Sequence, residues 1–194
     1  KEKRLWHLFL PNDTAALVGG KYGAGLTTLQ YADLCEIMGT SIHGEMAAQA
    51  TNCTSPDTGN METIARFGTE AQKEQWLVPL LEGKMRSCFA MTEPDVASSD
   101  ATNIATRIER DDDDYVINGS KVFITNGWMA DVTIVCAKTD ASKGAHGVSL
   151  FLIEDGMKGF TKGNKLEKMG MKAQDTCELF FEDLRVPKSA LLGE

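Results

Sequence analysis

The chain has 194 residues, with 20 basic and 28 acidic side chains and a formal net charge of −8. With 42% hydrophobic and 25% charged residues it has the balance of a globular protein, long enough to bury a core without a disulfide or metal staple. Its longest hydrophobic run is four residues, as at Leu150 to Ile153, which excludes a transmembrane helix or signal-peptide core. The acidic excess argues against a nucleic-acid partner, because a phosphate polyanion would be repelled.

In chain order, residues 1–86 read as a helical domain, and the chain, which starts at Lys1 rather than Met, reads as a segment of a longer protein. Gly19 to Gly25 is glycine-rich but fits no phosphate-binding spacing, so it reads as a flexible loop before a helix. Thr27 and Gln30 form a capping signature, followed by Leu29, Leu34, Ile37 and Met38 at helical spacing and a stop at Gly39. A second helix is expected from Ser41 to Ala50, and a third from Asn60 to Phe67. Thr69 and Gln72 cap a fourth, which carries Trp76, Leu77, Leu80 and Leu81, ends at Gly83 and should be kinked by Pro79. The apolar stripes of these helices are expected to pack into a core.

Residues 87–194 change character to β-branched and aromatic residues alternating with polar ones, which predicts an all-β barrel or sandwich. Strands are expected in Asn103–Arg110, Val132–Ala137, Gly147–Glu154 and Cys177–Val186. Asn118-Gly119-Ser120, between Tyr115–Ile117 and Lys121–Ile124, reads as a hairpin turn, because Asn and Gly tolerate positive φ. The four acids Asp111 to Asp114 read as a solvated loop rather than a metal site. The five cysteines are far apart, with no CxxC, which fits a reducing compartment and no zinc. HExxH and GxSxG are absent, and Glu93 with Asp100 is the one carboxylate pair to consider for acid–base work.

The segment from Cys88 to Asp100 combines a strand-like run with a turn of small polar residues, where backbone N–H groups and hydroxyls could meet a ligand. Phe89-Ala90-Met91-Thr92-Glu93-Pro94, followed by Ala97-Ser98-Ser99-Asp100, resembles a signature of acyl-CoA dehydrogenases. Asn118-Gly119-Ser120-Lys121-Val122-Phe123-Ile124-Thr125-Asn126-Gly127 is similar to a second, and Lys168 to Lys172 with Asp175-Thr176 and Phe181 to Pro187 to a third. Phe67 to Lys73 and Pro79 to Lys84 resemble that family's helix before the barrel. The Asp95-Val96-Ala97-Ser98 turn and Asp57 to Glu62 resemble the branch fused to a kinase-like domain. Gly156 to Phe160 and Ser189 to Glu194 look like the long-chain branch.

The resemblance implies an α+β chain, an N-terminal helical domain (1–86) followed by an antiparallel β-barrel (87–194), without the family's C-terminal helical domain. It implies FAD as cofactor. The flavin-binding candidates are Phe89, Ala90, Met91, Thr92, Glu93, Ser98, Ser99, Phe123, Ile124 and Thr125, with Ser98 and Ser99 also toward the acyl-CoA substrate. The activity implied is α,β-dehydrogenation of an acyl-CoA in fatty-acid or branched-chain amino-acid oxidation, with electron-transferring flavoprotein as acceptor. The catalytic glutamate belongs to the C-terminal domain, so this segment holds no catalytic residue and no metal. A homodimer or homotetramer is implied for the full protein, in the mitochondrial matrix or peroxisome of a eukaryote or the cytoplasm of a bacterium. The competing class is a non-enzymatic assembly partner on the same fold.

Overall fold

A computed structural model describes residues 5–193. Lys1 and Glu194, on which the sequence reading also drew, lie outside the described residues. Contacts divide the chain into two units, Lys1–Lys84 and Met85–Glu194.

The first unit is helical. α1 (Asn12–Ala16) follows Pro11, and α2 (Thr28–Gly39) starts on the predicted capping box, in which the Thr27 hydroxyl accepts from Gln30 N and the Gln30 side chain accepts from Thr27 N. α3 (Gly44–Ala50) begins three residues later than expected. Neither α2 nor α3 buries any side chain: Leu29 is 75% exposed and Ile37 64%, which corrects the expectation that these stripes are packed. Spacing defines an apolar face but not the surface that covers it.

α4 (Asp57–Phe67) does pack, burying Met61, Ile64 and Ala65 at helical spacing, although Phe67 stays exposed. Thr69 caps the next segment as predicted, which runs through α5 (Glu70–Gln72), a π-helical turn (Lys73–Leu77) and α6 (Val78–Glu82). Val78 N reaches back five residues to Lys73 O. The wide turn stands just ahead of Pro79, which has no N–H to give, so the irregularity expected there is a π turn. α6 ends at Gly83, whose φ of 71° is left-handed and whose missing Cβ leaves room for the Trp6 ring, 2.8 Å from where that Cβ would stand.

The second unit is a seven-stranded curled sheet: β1 (Ser87–Ala90), β2 (Arg107–Asp111), β3 (Asp114–Thr125), β4 (Val132–Lys138), β5 (Val148–Glu154), β6 (Phe160–Lys165) and β7 (Thr176–Pro187). The strand order is β1-β4-β2-β3-β7-β6, with β5 also paired to β4. The sheet is mixed, not wholly antiparallel as expected: β1 runs parallel to β4, and so does β2 through the single pair Arg107–Lys138. The strand expected from Asn103 begins only at Arg107, after two short 3₁₀ turns. β6 was not expected, because Phe-Thr-Lys-Gly-Asn-Lys carries no strand pattern; its pairing with β7 supplies what its own residues lack.

The predicted Asn-Gly hairpin does not form. β3 runs straight through Asn118 and Gly119 for 12 residues, and the β2–β3 hairpin turns at the acidic run instead, with Asp111 opposite Asp114 and Asp112 in the left-handed region. Arg185 of β7 pairs with both Asp111 and Asp114 and offsets their charge. Gly119 serves close approach: a Cβ there would stand 2.5 Å from Thr106 Oγ1 and 2.8 Å from Thr106 Cα. The inward residues, among them Ile117, Ile124, Val135, Phe151, Leu179 and Phe181, form one core cluster. Among the described residues no helix is long and apolar enough to cross a membrane.

Candidate functional site

The candidates on β1 and β3 meet where the two segments touch. Val122 N donates to Thr92 O at 2.9 Å, so the exit of β1 lies directly beside the C-terminal part of β3. There β3 carries a bulge: Lys121 pairs with Leu179 and Ile124 with Cys177, so the bulged strand uses one more residue than its partner. The extra residue is turned by Phe123, whose φ of 59° is left-handed. For a bulky side chain this is a strained conformation that costs about 1–3 kcal/mol, retained where surrounding structure fixes it. The bulge sets Phe123 65% exposed between buried Val122 and Ile124.

Around it, Phe89, Met91, Thr92 and Thr125 are half-buried. Ala90, Glu93 and Ile124 are not surface residues: their side chains lie inside the unit. With their side chains turned inward, these three candidates could meet a ligand only through their backbone N–H and C=O groups. Ser98 and Ser99 follow in a tight turn with φ of 57° and 53°. Ser98 is exposed, whereas the Ser99 hydroxyl lies 2.6 Å from the Thr92 hydroxyl, joining the serine turn to the end of β1. Asp100 accepts from Thr102 N and Asn103 Nδ2, and those bonds hold its carboxyl below the usual range. Lys138 Nζ donates to the carbonyls of Ala101, Thr102 and Gly144, which fastens the end of the same turn to β4.

Beneath the site lies a fully buried ion pair. Lys121 Nζ donates to Glu93 Oε1 at 2.8 Å and to Met91 O at 3.0 Å. Glu93 also accepts from Ala105 N at 2.6 Å and Thr106 N at 2.9 Å. Burial raises the Glu93 pKa, but the ammonium and the N–H donors outweigh it and hold the carboxyl below its ordinary value. Burial pushes the Lys121 pKa down against the pull of Glu93. Glu93 and Asp100 are thus each engaged with separate partners and do not form an acid–base pair. The role of Lys121 was missed from sequence, although the alternation of β3 puts it in phase with inward-facing Ile117, where a lysine needs an acid.

Burial raises the thiol pKa of Cys88 to about 12 and those of Cys136 and Cys177 to about 11, so these sulfurs stay protonated and unreactive. No cluster of His, Cys, Asp or Glu among the described residues could hold a metal. A cleft of about 120 Å³ beside Glu93, Thr106 and Gly119 has room for a few waters but not for a flavin.

The sequence pattern of the acyl-CoA dehydrogenase N-terminal domain matches residues 16–84, and that of the acyl-CoA dehydrogenase middle domain matches residues 88–184. The chain belongs to the acyl-CoA dehydrogenase family. It is 51% identical over 166 residues to the rat long-chain specific acyl-CoA dehydrogenase, mitochondrial, covering 82% of this chain and 38% of that protein. It is 47% identical to mouse acyl-CoA dehydrogenase family member 10, covering 99% of this chain and 18% of that protein. Both branches seen in the sequence motifs therefore recur among these relatives. A Mycobacterium abscessus protein assigned to the acyl-CoA dehydrogenases superimposes with a TM-score of 0.86 at 40% identity, over 98% of this chain and 46% of that one. A glutaryl-CoA dehydrogenase from Mycobacterium smegmatis, in complex with FADH2, gives a TM-score of 0.63 at 40% identity, over 69% of this chain and 33% of that one. The chain thus spans less than half the length of these relatives.

Proposed function

We propose that this chain forms the flavin-ring side of an FAD-dependent acyl-CoA dehydrogenase that introduces an α,β double bond into an acyl-CoA thioester. The observation that carries the proposal is Phe123: an aromatic ring held exposed on a strained bulge, with the half-buried hydroxyl residues Thr92 and Thr125 on the segments that meet there. Those residues fit a planar, polar-edged ring. Phe123 would pack on its face, and Thr92 and Thr125 would hydrogen-bond its edge. Ser98 and Ser99 would meet the cofactor's phosphates or the thioester end of the substrate, through hydroxyls and the N–H groups of their turn.

The flavin, when bound, supplies a two-electron acceptor. The chain's own residues orient that ring and exclude water from one face of it. The base that takes the α-proton comes from the helical domain that completes the fold in the full-length protein, so no residue here is assigned to that step. Electron-transferring flavoprotein as electron acceptor, a homo-oligomeric full protein and, in a eukaryote, a mitochondrial matrix or peroxisomal location belong to the same proposal. The mitochondrial rat relative supports the matrix location.

The full-length protein should purify yellow. Thr125→Ala there should slow flavin reduction by acyl-CoA more than it weakens substrate binding, at a cost of about 1–3 kcal/mol for a hydrogen-bond partner left unsatisfied. A colourless full-length protein, or normal reduction in the Thr125→Ala variant, would count against the proposal. This segment by itself should retain little FAD on gel filtration, because the remaining contacts lie elsewhere in the full protein.

A further inference from the structure

We propose that the buried Lys121–Glu93 pair is a positioning device for the flavin ring, acting through the register of the β3 bulge without touching the cofactor. The inference rests on the flavin reading above. The pair joins three segments at one point. Glu93 directly follows Met91 and Thr92, its carboxylate gathers the N–H groups of Ala105 and Thr106, and Lys121 directly precedes the bulge that displays Phe123 and Thr125.

Two apolar side chains of the same volume would fill this space at no greater cost, since the attraction of a buried pair only offsets the loss of hydration. They would not fix direction. An ammonium that must reach one carboxylate and one carbonyl, Met91 O, admits a single placement of β3. That constraint matters because Phe123 sits in a left-handed conformation that the strand would relax if it could. Moving the bulge one residue toward Lys121 returns Phe123 to extended backbone and draws Lys121 itself into the bulge. The same move carries the Lys121 ammonium away from Glu93 and leaves the buried carboxylate with the Ala105 and Thr106 N–H groups but no counter-charge. The ion pair therefore penalises a shift that would withdraw the aromatic face from the ring.

The test uses the full-length flavoprotein and the double variant Lys121→Met/Glu93→Gln, which removes both charges and keeps the volume. Readouts are the thermal midpoint, the visible circular dichroism of bound flavin and the rate of FAD release on dilution. A device for stability alone would move the midpoint and leave the flavin signals as they are. Positioning predicts a midpoint close to wild type, an altered flavin dichroism band and FAD release faster by about tenfold or more, equivalent to about 1.4 kcal/mol of lost binding. Glu93→Asp, which shortens the carboxylate arm without removing charge, should shift the same dichroism band in a protein that folds, and it decides the matter if the double variant does not fold. Wild-type dichroism and wild-type FAD release in whichever of these variants folds overturn the positioning role. A wild-type protein that carries no flavin overturns the functional reading and, with it, this inference.

Discussion

The two units handle the same kind of sequence signal differently. In the helical unit, α2 and α4 both carry apolar residues at helical spacing, yet α4 buries Met61, Ile64 and Ala65 while α2 buries nothing. In the β unit nearly every inward position of β4 and β7 finds a partner, and the core closes around Phe151 and Phe181. An apolar stripe is thus a property of the chain, whereas burial depends on what lies opposite. In a sheet the neighbouring strands supply part of that surface through hydrogen bonding, while a helix must find it entirely by packing.

The sharpest way to break this comparison is truncation on each side. Phe151→Ala should destabilise the β unit by about 3–5 kcal/mol, as aromatic deletions in packed cores do, measured by denaturant unfolding. A loss below about 1 kcal/mol would mean the cluster around it is not tightly packed. Gly119→Ala is next. A methyl 2.5 Å from Thr106 Oγ1 and close to the Thr106 backbone has no room, so overpacking should cost about 1–3 kcal/mol. Pairing it with Thr106→Ala should recover little, because the backbone contact remains.

Acid compares one exposed carboxylate from each unit. Asp13, in the helical unit, is held below its ordinary value of 3.8 chiefly by Arg66, and Asp100, in the β unit, chiefly by Thr102 N. Both folded values are depressed, so each group's contribution is present above pH 3.8 and is lost as pH falls through the folded value below it. Carboxyl titration by NMR at low and high salt should separate them. Salt should move Asp13 back toward 3.8 more than Asp100, because it screens an ion pair more than a hydrogen bond to the backbone. The smallest effect is expected on α2. Leu29→Ser and Ile37→Ser should each change the stability of this chain by no more than about 0.5 kcal/mol, as substitutions on uncovered surfaces do. In the full-length protein the same pair reports whether another part of the polypeptide covers that face: a loss well above that figure there would show that it does.

The sequence made much of the fold legible, and its failures share a cause. Caps at Thr27 and Thr69, the stop at Gly83 and the apolar run of β4 are local, and each appears in place. The Asn118-Gly119 turn failed because a glycine needed for close approach to Thr106 looks the same in sequence as one needed for a turn. β6 escaped notice because its structure is supplied by β7. At the candidate site, motif resemblance picked out two segments that meet in the structure. It could not separate exposed Phe123 from buried Val122 and Ile124, because the bulge between Lys121 and Ile124 breaks the alternation from which facing is read.

The open sides of the curled sheet have a consequence for behaviour in a crowded solution. An unpaired strand offers a row of donors and acceptors on which another polypeptide can nucleate a fibre. β5, which is apolar, is partly roofed by its own chain: Leu191 bridges Phe151, and Leu192 N donates to Leu150 O. Among the described residues β6 pairs with β7 alone, and it carries Lys162 and Lys165, a bulge between them and Gly163. Lys162 is tethered to Asp155 and to the carbonyls of Trp128 and Ala130. A strand arriving at β6 would have to follow that irregular line and desolvate cationic side chains. The poor strand sequence that concealed β6 is the same property that keeps it from recruiting a neighbour.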